Sequence, residues 1–138
     1  SGISMFAQVL NQPTLFVNVT PFVEKPMGKK NFFIHKKVLS KKTNKFISLR
    51  EGLKKKLNIH YRNNTIEELG YKYIENNEKE ILDAVKEMLN YKKNNYKFDP
   101  TDLQKKYNNI FLIENFEVDN TNYVCNSFLI DNKYLLDD

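Results

Sequence analysis

An almost wholly apolar run, Thr14–Val19, follows a short helical pattern and restricts the folds open to this chain more than any other segment. Residues 2–11 have the apolar spacing of one buried helix face, i, i+3, i+4 and i+7, at Ile3, Phe6, Ala7 and Leu10. Pro13 ends this pattern, and the β-branched and aromatic run after it predicts a strand buried on both faces, as in a parallel sheet. A helix that leads directly into such a strand is typical of the second half of a βαβ unit.

The first residues of this predicted helix are candidates for anion binding. Backbone N–H groups at a helix N-terminus have no helical partner and attract anions, so Ser1, Gly2 and Ser4 are candidate donors to a phosphate. An ordinary helix cap, or a cloning remnant for the first two residues, explains them equally well. The chain does not begin with Met, and we expect a strand upstream of Ser1 to feed this turn.

Length and composition restrict the class of protein. With 138 residues, of which 41% are hydrophobic, the chain has enough apolar residues for one folded domain with a core. Cys125 is the single cysteine, so no disulfide can form within the chain, and the cytoplasm is the expected compartment. No run of about 18 apolar residues occurs, and we therefore expect no membrane-spanning segment.

The basic residues are concentrated in one segment, residues 29–56. This segment contains eleven Lys or Arg residues and one acid, Glu51, which gives it a net charge of +10; the whole chain carries +5, so the other residues carry −5. A genome that favours lysine codons explains the basic total, but it does not explain this segregation. The pattern indicates a local anionic partner: sugar-nucleotide phosphates, a phospholipid surface or nucleic acid.

Residues 20–47 show no sustained hydrophobic period, and they combine prolines and a glycine with part of the basic run. We expect a long basic loop here, in which residues 31–35 form either a short strand or an anchored turn. The apolar residues after Asn120 also lack a firm period. The sequence therefore indicates a domain over residues 1–120 and a C-terminal tail over residues 121–138, whose packing stays open.

Helix-capping residues mark the other helices. Ser48 with Glu51 predicts a helix to about residue 57, and Asn77 with Glu80 predicts the clearest helix of the chain. The expected buried stripe of that helix is Ile81, Val85, Met88 and Leu89. Further expectations are a short helix that ends at Gly70, a strand over residues 71–74, and a helix that starts within Asp99–Asp102 with Pro100 as its first helical residue.

Several of these pieces together form a familiar series. They are the Ser1–Gly2 turn with its helix, the junction Asn11–Pro13, the strand and turn Leu15–Pro21, the loop residues His35–Lys37, the capped start Ser48–Glu51 and the segment Tyr73–Met88. Over about two-thirds of the chain, their order and spacing resemble the C-terminal half of a family of bacterial GT-B-type glycosyltransferases of surface-polysaccharide biosynthesis.

The resemblance implies an α/β fold: a Rossmann-like three-layer domain with a parallel sheet, the incomplete C-terminal domain of a GT-B enzyme. It implies that this domain binds a sugar nucleotide, and that a missing N-terminal domain of the same protein holds the acceptor and supplies the base. The acceptor would be a surface polysaccharide or a lipid-linked molecule. Many such donor domains carry a ribose-binding glutamate in the helix that corresponds to residues 2–11, whereas here Gln8 is its only long polar residue.

The predicted donor and phosphate ligands are Ser1, Gly2, Ser4, Asn18, Thr20 and Lys36. Asn18 and Thr20 would contact the sugar or a phosphate, although turn chemistry before a proline also explains them. Lys36 or its neighbour Lys37 would neutralise the leaving diphosphate, and a solvated loop charge is the plain alternative. His35 has no carboxylate nearby in sequence and is a weak candidate for a general base. Since no metal-ligand spacing occurs, we expect no metal and no cofactor beyond the sugar nucleotide as substrate.

A non-catalytic basic module is the main rival to a transferase. Residues 29–56 would then bind a membrane or nucleic acid, but nucleic acid is the less expected partner because Arg50 and Arg62 are the only arginines. Peripheral contact with the inner face of the membrane is compatible with a cytoplasmic transferase that uses lipid-linked acceptors. A Rossmann-like domain with a purely structural role is the third alternative.

Overall fold

The computed structural model describes residues 12–22, 30–58, 63–113 and 122–138, and these form a mixed α/β fold with two small sheets. In chain order the elements are β1 (Leu15–Val19), β2 (Asn31–His35), β3 (Lys37–Ser40), β4 (Lys45–Phe46), α1 (Leu49–Lys54), α2 (Asn63–Glu68), β5 (Tyr71–Ile74), α3 (Glu78–Lys93), α4 (Asp102–Ile113), β6 (Asn122–Val124), α5 (Asn126–Asp131) and a 3-10 helix (Lys133–Leu136).

The first sheet is parallel and has the order β1-β2-β6. Phe32 lies opposite Leu15 in β1 and opposite Tyr123 in β6, so β2 is the central strand. All five residues of β2 are buried, as expected for a strand covered on both faces. The parallel strand predicted from the run Thr14–Val19 is confirmed, although β1 lies at an edge and its residues are only partly buried.

The second sheet is antiparallel, with the order β4-β3-β5. Lys36 alone separates β2 from β3, so the chain passes from one sheet directly into the other. The long loop expected over residues 20–47 is therefore corrected: 31–35, 37–40 and 45–46 are strands. Strand β2 is buried throughout, and β3 contains the buried Lys37. Neither strand therefore has the alternation of polar and apolar residues from which a half-buried strand is predicted.

Helices cover both faces of the parallel sheet. Phe32 packs edge-on against Tyr91 of α3, with ring centroids 5.0 Å apart, whereas the next residue, Phe33, packs against Tyr107 of α4 at 6.1 Å. Successive strand residues point to opposite faces, so α3 and α4 lie on opposite sides of the sheet. The core lies in these two layers, and it includes the fully buried Ile34, Val124 and Leu129.

Helix α3 begins as predicted but is rotated relative to the predicted stripe. Asn77 accepts from the N–H of Glu80, and the Glu80 carboxylate accepts from the N–H of Asn77, so the capping box is confirmed. Val85 and Leu89 are 39% and 59% exposed, whereas Ala84, Tyr91 and Glu80 are buried. The predicted stripe is therefore wrong at two of its four positions.

The other predicted helix starts differ in detail. The Ser48 hydroxyl accepts from the N–H of Glu51 at 3.2 Å, as expected, but α1 already ends at Lys54. Helix α4 begins after Thr101 rather than at Pro100. The hydroxyl of Thr101 accepts from the N–H of Gln104 at 3.2 Å, and the side-chain oxygen of Gln104 accepts from the N–H of Thr101 at 2.9 Å. This reciprocal cap places the proline outside the helix.

The C-terminal segment is part of the domain. Strand β6 pairs with β2, and Leu135 and Leu136 of the 3-10 helix are buried in the main core. The boundary expected at residue 120 therefore separates elements that share one sheet. Within the described part of the chain, every helix is too short or too polar to cross a membrane.

Candidate functional site

The carboxyl ends of β1 and β2 meet at one edge of the parallel sheet. Val19 pairs with His35, and the backbone N–H of Lys36 donates to the carbonyl oxygen of Val19 at 2.8 Å. Thr20 and Lys36, which follow these two strands directly, therefore lie side by side. Open α/β sheets bind ligands at this edge, because the loops and helix starts that follow the strands converge there.

Asn18 is held at this edge by Asn76, which immediately precedes the cap of α3. The N–H of Asn18 donates to the side-chain oxygen of Asn76 at 2.8 Å, and the N–H of Asn76 donates to the side-chain oxygen of Asn18 at 2.7 Å. Asn18 has a φ of 55°, a left-handed conformation that asparagine tolerates better than most residues. Its amide oxygen is thus engaged within the protein, and only its NH₂ group is a candidate for ligand contact.

Asn76 also forms a hydrogen bond with β2, the central strand. Its side-chain NH₂ donates to the carbonyl oxygen of His35 at 2.8 Å, so one buried amide joins the ends of β1 and β2 to the start of α3. Sequence reasoning missed this residue because the neighbouring Asn77 already explains the local polarity as a helix cap. The available signal was a second asparagine directly before the capping box.

Of the two adjacent lysines, Lys36 is the one whose charge is available. Lys37 is buried, and its ammonium nitrogen lies 3.4 Å from a carboxylate oxygen of the buried Glu80. Lys36 is only partly buried, and the structure places its ammonium 5.9 Å from the ring centre of Tyr73. Burial raises the pKa of Tyr73 to about 12, so this phenol stays protonated at neutral pH.

His35 is enclosed beneath the edge. Its Nδ1 lies 2.7 Å from the carbonyl oxygen of Lys36, which can only accept, so the proton is on Nδ1 and Nε2 carries the lone pair. Nε2 has no hydrogen-bond partner among the described residues, and the ring packs edge-on against Phe128 at 5.1 Å. Burial lowers the pKa of His35 to about 4, which keeps the imidazole neutral at pH 7. A side chain that is 1% exposed cannot take a proton from a ligand at the surface.

Helix α5 follows β6, the third strand of the parallel sheet, and a carboxylate of the protein itself already binds the N–H groups at the start of this helix. Both oxygens of the Glu87 carboxylate accept backbone N–H groups at the start of α5, from Asn126 and Ser127, each at 2.8 Å. Cys125, which precedes them, is buried, and burial raises the pKa of its thiol, so it is unreactive. The candidate edge is therefore limited to the ends of β1 and β2.

The remaining predicted ligands, Ser1, Gly2 and Ser4, lie outside the described residues. Two surface clefts, of about 440 and 220 Å³, lie along α4 and between α3 and the starts of α4 and α5, and neither is lined by Asn18, Thr20 or Lys36. In the described ranges, no three His, Cys, Asp or Glu side chains are grouped so that they could hold a metal ion.

Comparisons of the chain with protein-family models, with curated proteins and with solved structures find no match. The geometry of the sheet edge and the sequence motifs are therefore the basis for assigning a function.

Proposed function

We propose that the chain is the donor-binding part of a glycosyltransferase, which moves a sugar from a sugar nucleotide to a surface-polysaccharide or lipid-linked acceptor. The observation that supports this most strongly is the position of Thr20 beside Lys36 at the carboxyl edge of a parallel sheet, where the strands are joined by a 2.8 Å backbone hydrogen bond. A hydroxyl and a partly exposed ammonium at such an edge suit the diphosphate of a nucleotide.

In this proposal, Lys36 neutralises the negative charge that develops on the leaving diphosphate. Thr20 and the NH₂ group of Asn18 donate to phosphate or sugar oxygens, and Ser1, Gly2 and Ser4 are proposed as further phosphate donors. The bond between the anomeric carbon and the diphosphate oxygen breaks, and its electron pair leaves with the nucleoside diphosphate. The acceptor oxygen bonds to the same carbon and gives its proton to a base, which we assign to the N-terminal domain because His35 is enclosed.

Isothermal titration calorimetry with UDP-glucose, GDP-mannose and dTDP-glucose tests this proposal. We expect weak binding of at least one sugar nucleotide, and about tenfold weaker binding by Lys36→Gln, the loss typical of one charge-assisted contact. Lys105→Gln, which changes an exposed lysine on α4, is the matched control and leaves the affinity unchanged. If none of the three binds, or if both variants lose equal affinity, the donor assignment is wrong.

A non-catalytic basic binding module is the second candidate. The observation that favours it is a group of exposed lysines in β4, α1 and the adjoining turns that make no ion pair among the described residues. Such a module would bind a membrane or nucleic acid and no sugar nucleotide. For either candidate we propose a cytoplasmic protein, with peripheral contact at the inner face of the membrane in the first case.

A further inference from the structure

The antiparallel sheet and the helix beside it present six exposed lysines, which we name the lysine face. Three lie on the hairpin of β3 and β4 and three at the end of α1: Lys41, Lys42, Lys45, Lys54, Lys55 and Lys56. Residues 25–50 contain no acid, and Glu51 is the only acid between Glu24 and Glu67. This surface therefore carries most of the charge that distinguishes residues 29–56 from the rest of the chain.

The charge of the lysine face is not neutralised within the described part of the protein. The ion pairs seen there involve Lys37, Arg50 and Lys79, and none of them includes a lysine of this face. Lys79, by contrast, contacts two carboxylates, each at 2.7 Å. Exposed ammonium groups that make no ion pair leave a net positive charge on these segments, and an anionic surface attracts it.

Backbone contacts hold the lysine face in place. In the hairpin turn, the N–H of Asn44 donates to the carbonyl oxygen of Ser40 at 2.8 Å, and the N–H of Lys41 donates to that of Gly70 at 2.9 Å. At the other end of the face, Leu57 is buried with Val38 and Ile47 in a small core. Both groups of lysines are thus attached to one packed subdomain rather than to a free tail.

We propose that the lysine face docks the protein on an anionic lipid bilayer. Lysine ammonium groups attract a diffuse negative surface as point charges, whereas nucleic-acid readout favours the planar fork of arginine. Arg50 is already engaged, since its guanidinium donates to the carbonyl oxygen of Leu136 at 3.1 Å and contacts Asp138 at 2.7 Å. The exposed ring of Phe46 stacks on Tyr134 and lies beneath the Lys37 ammonium, so it is not offered to a base.

This docking is a second interaction, on a different surface from the sugar-nucleotide edge, and it does not depend on transferase activity. Each lysine near an anionic membrane strengthens binding by about fivefold. A protein docked in this way would stand beside an acceptor carried by a membrane lipid, which is the one respect in which the inference rests on the proposed function.

Co-sedimentation with phospholipid vesicles tests the proposal. We expect the chain to bind vesicles of phosphatidylcholine with about one-third phosphatidylglycerol, and not pure phosphatidylcholine. Binding should weaken steeply between about 0.05 and 0.5 M salt, since the screening length shortens several-fold over that range. No binding to the anionic vesicles at low salt, or tighter binding to a DNA or RNA duplex of equal charge concentration, would overturn it.

Two triple variants that lose the same charge show whether vesicle binding depends on the lysine face or only on the net charge of the protein. Lys41→Gln, Lys42→Gln and Lys45→Gln together should weaken vesicle binding by about 100-fold, as three lost lysines predict. The matched control removes three exposed lysines of α3, Lys86, Lys92 and Lys93, and should bind nearly as well as the unchanged chain. Equal losses in the two variants would contradict the proposal. Sugar-nucleotide titration of the first variant shows whether only the lipid contact has failed.

Discussion

Asn76 is the single residue on which the geometry of the candidate edge depends most. Its side chain makes two hydrogen bonds, to the N–H of Asn18 and to the carbonyl oxygen of His35, each at 2.8 Å, and it is buried. Removing one partner of a buried hydrogen bond costs the desolvation energy of the group left behind. The ends of β1 and β2 would therefore lose their shared attachment to α3.

Asn76→Ala should lower the free energy of unfolding by about 2–4 kcal/mol, as expected when one buried carbonyl and one partly buried N–H are left unpaired. Urea denaturation measures this change. The control is Asn90→Ala, on the exposed surface of α3, which should change the free energy by less than about 0.5 kcal/mol. A loss below about 1 kcal/mol for Asn76→Ala would show that water replaces both bonds.

His35 gives the protein a defined response to acid. The pKa of its imidazole is lowered to about 4 in the folded protein, mainly by burial, against an ordinary value of 6.5. Between these two pH values the unfolded chain binds a proton at this site and the folded protein does not, so the unfolded state gains stability as the pH falls.

The free energy of unfolding should therefore fall by about 3 kcal/mol from this site alone as the pH decreases from 6.5 to 4. Urea denaturation at a series of pH values gives the slope, and NMR titration of the imidazole gives the pKa of the folded state. An imidazole that titrates near 6.5 in the folded protein would contradict the enclosed position of His35.

Among the secondary-structure elements, α3 is the one whose buried face is not predicted correctly from the spacing of its hydrophobic residues. Glu80 is buried because it pairs with Lys37 and accepts from the side chain of Asn132 at 3.0 Å. Tyr91 is buried because its ring packs against Phe32. These contacts turn the helix so that Leu89 faces outward, an outcome that depends on β2, β3 and the C-terminal segment rather than on the spacing within the helix.

The same substitution at two leucines tests this orientation. Leu89→Ala should change the free energy of unfolding by less than about 1 kcal/mol, because the side chain is largely exposed and alanine is a good helix former. Leu129→Ala in α5, at a fully buried position, should cost about 2–5 kcal/mol. Thermal or urea denaturation of the two variants measures these changes. Equal losses in the free energy of unfolding would mean that Leu89 is buried in solution.

Elements with strong local signals were predictable from the sequence. The apolar run Thr14–Val19 predicted β1, and the box of Asn77 with Glu80 predicted the start of α3. Strands β3 and β4 were not predictable, because their lysines resemble a solvated loop until pairing with β5 and the buried contact of Lys37 are known. Of the candidate edge, Asn18, Thr20 and Lys36 were named from the sequence, whereas Asn76 needed contacts between segments 58 residues apart.

For the molecule as a whole, the passage from β2 into β3 through Lys36 is the central feature. It joins a parallel sheet, whose carboxyl edge carries Thr20 and Lys36, to an antiparallel sheet, whose β3–β4 hairpin carries three of the six lysines of the lysine face. The basic segment, residues 29–56, contains both Lys36 of the proposed sugar-nucleotide edge and the six lysines of the proposed membrane-binding surface.

The proposed function depends on binding of a sugar-nucleotide diphosphate at the ends of β1 and β2. Chemical-shift mapping by NMR tests it most directly, with the 138-residue chain titrated with UDP-glucose, GDP-mannose or dTDP-glucose. We expect saturable shifts centred on the backbone amides of Thr20 and Lys36, which are abolished or much reduced in Lys36→Gln. Saturable shifts that centre instead on the cleft along α4, or no shifts with any of the three ligands, would contradict it.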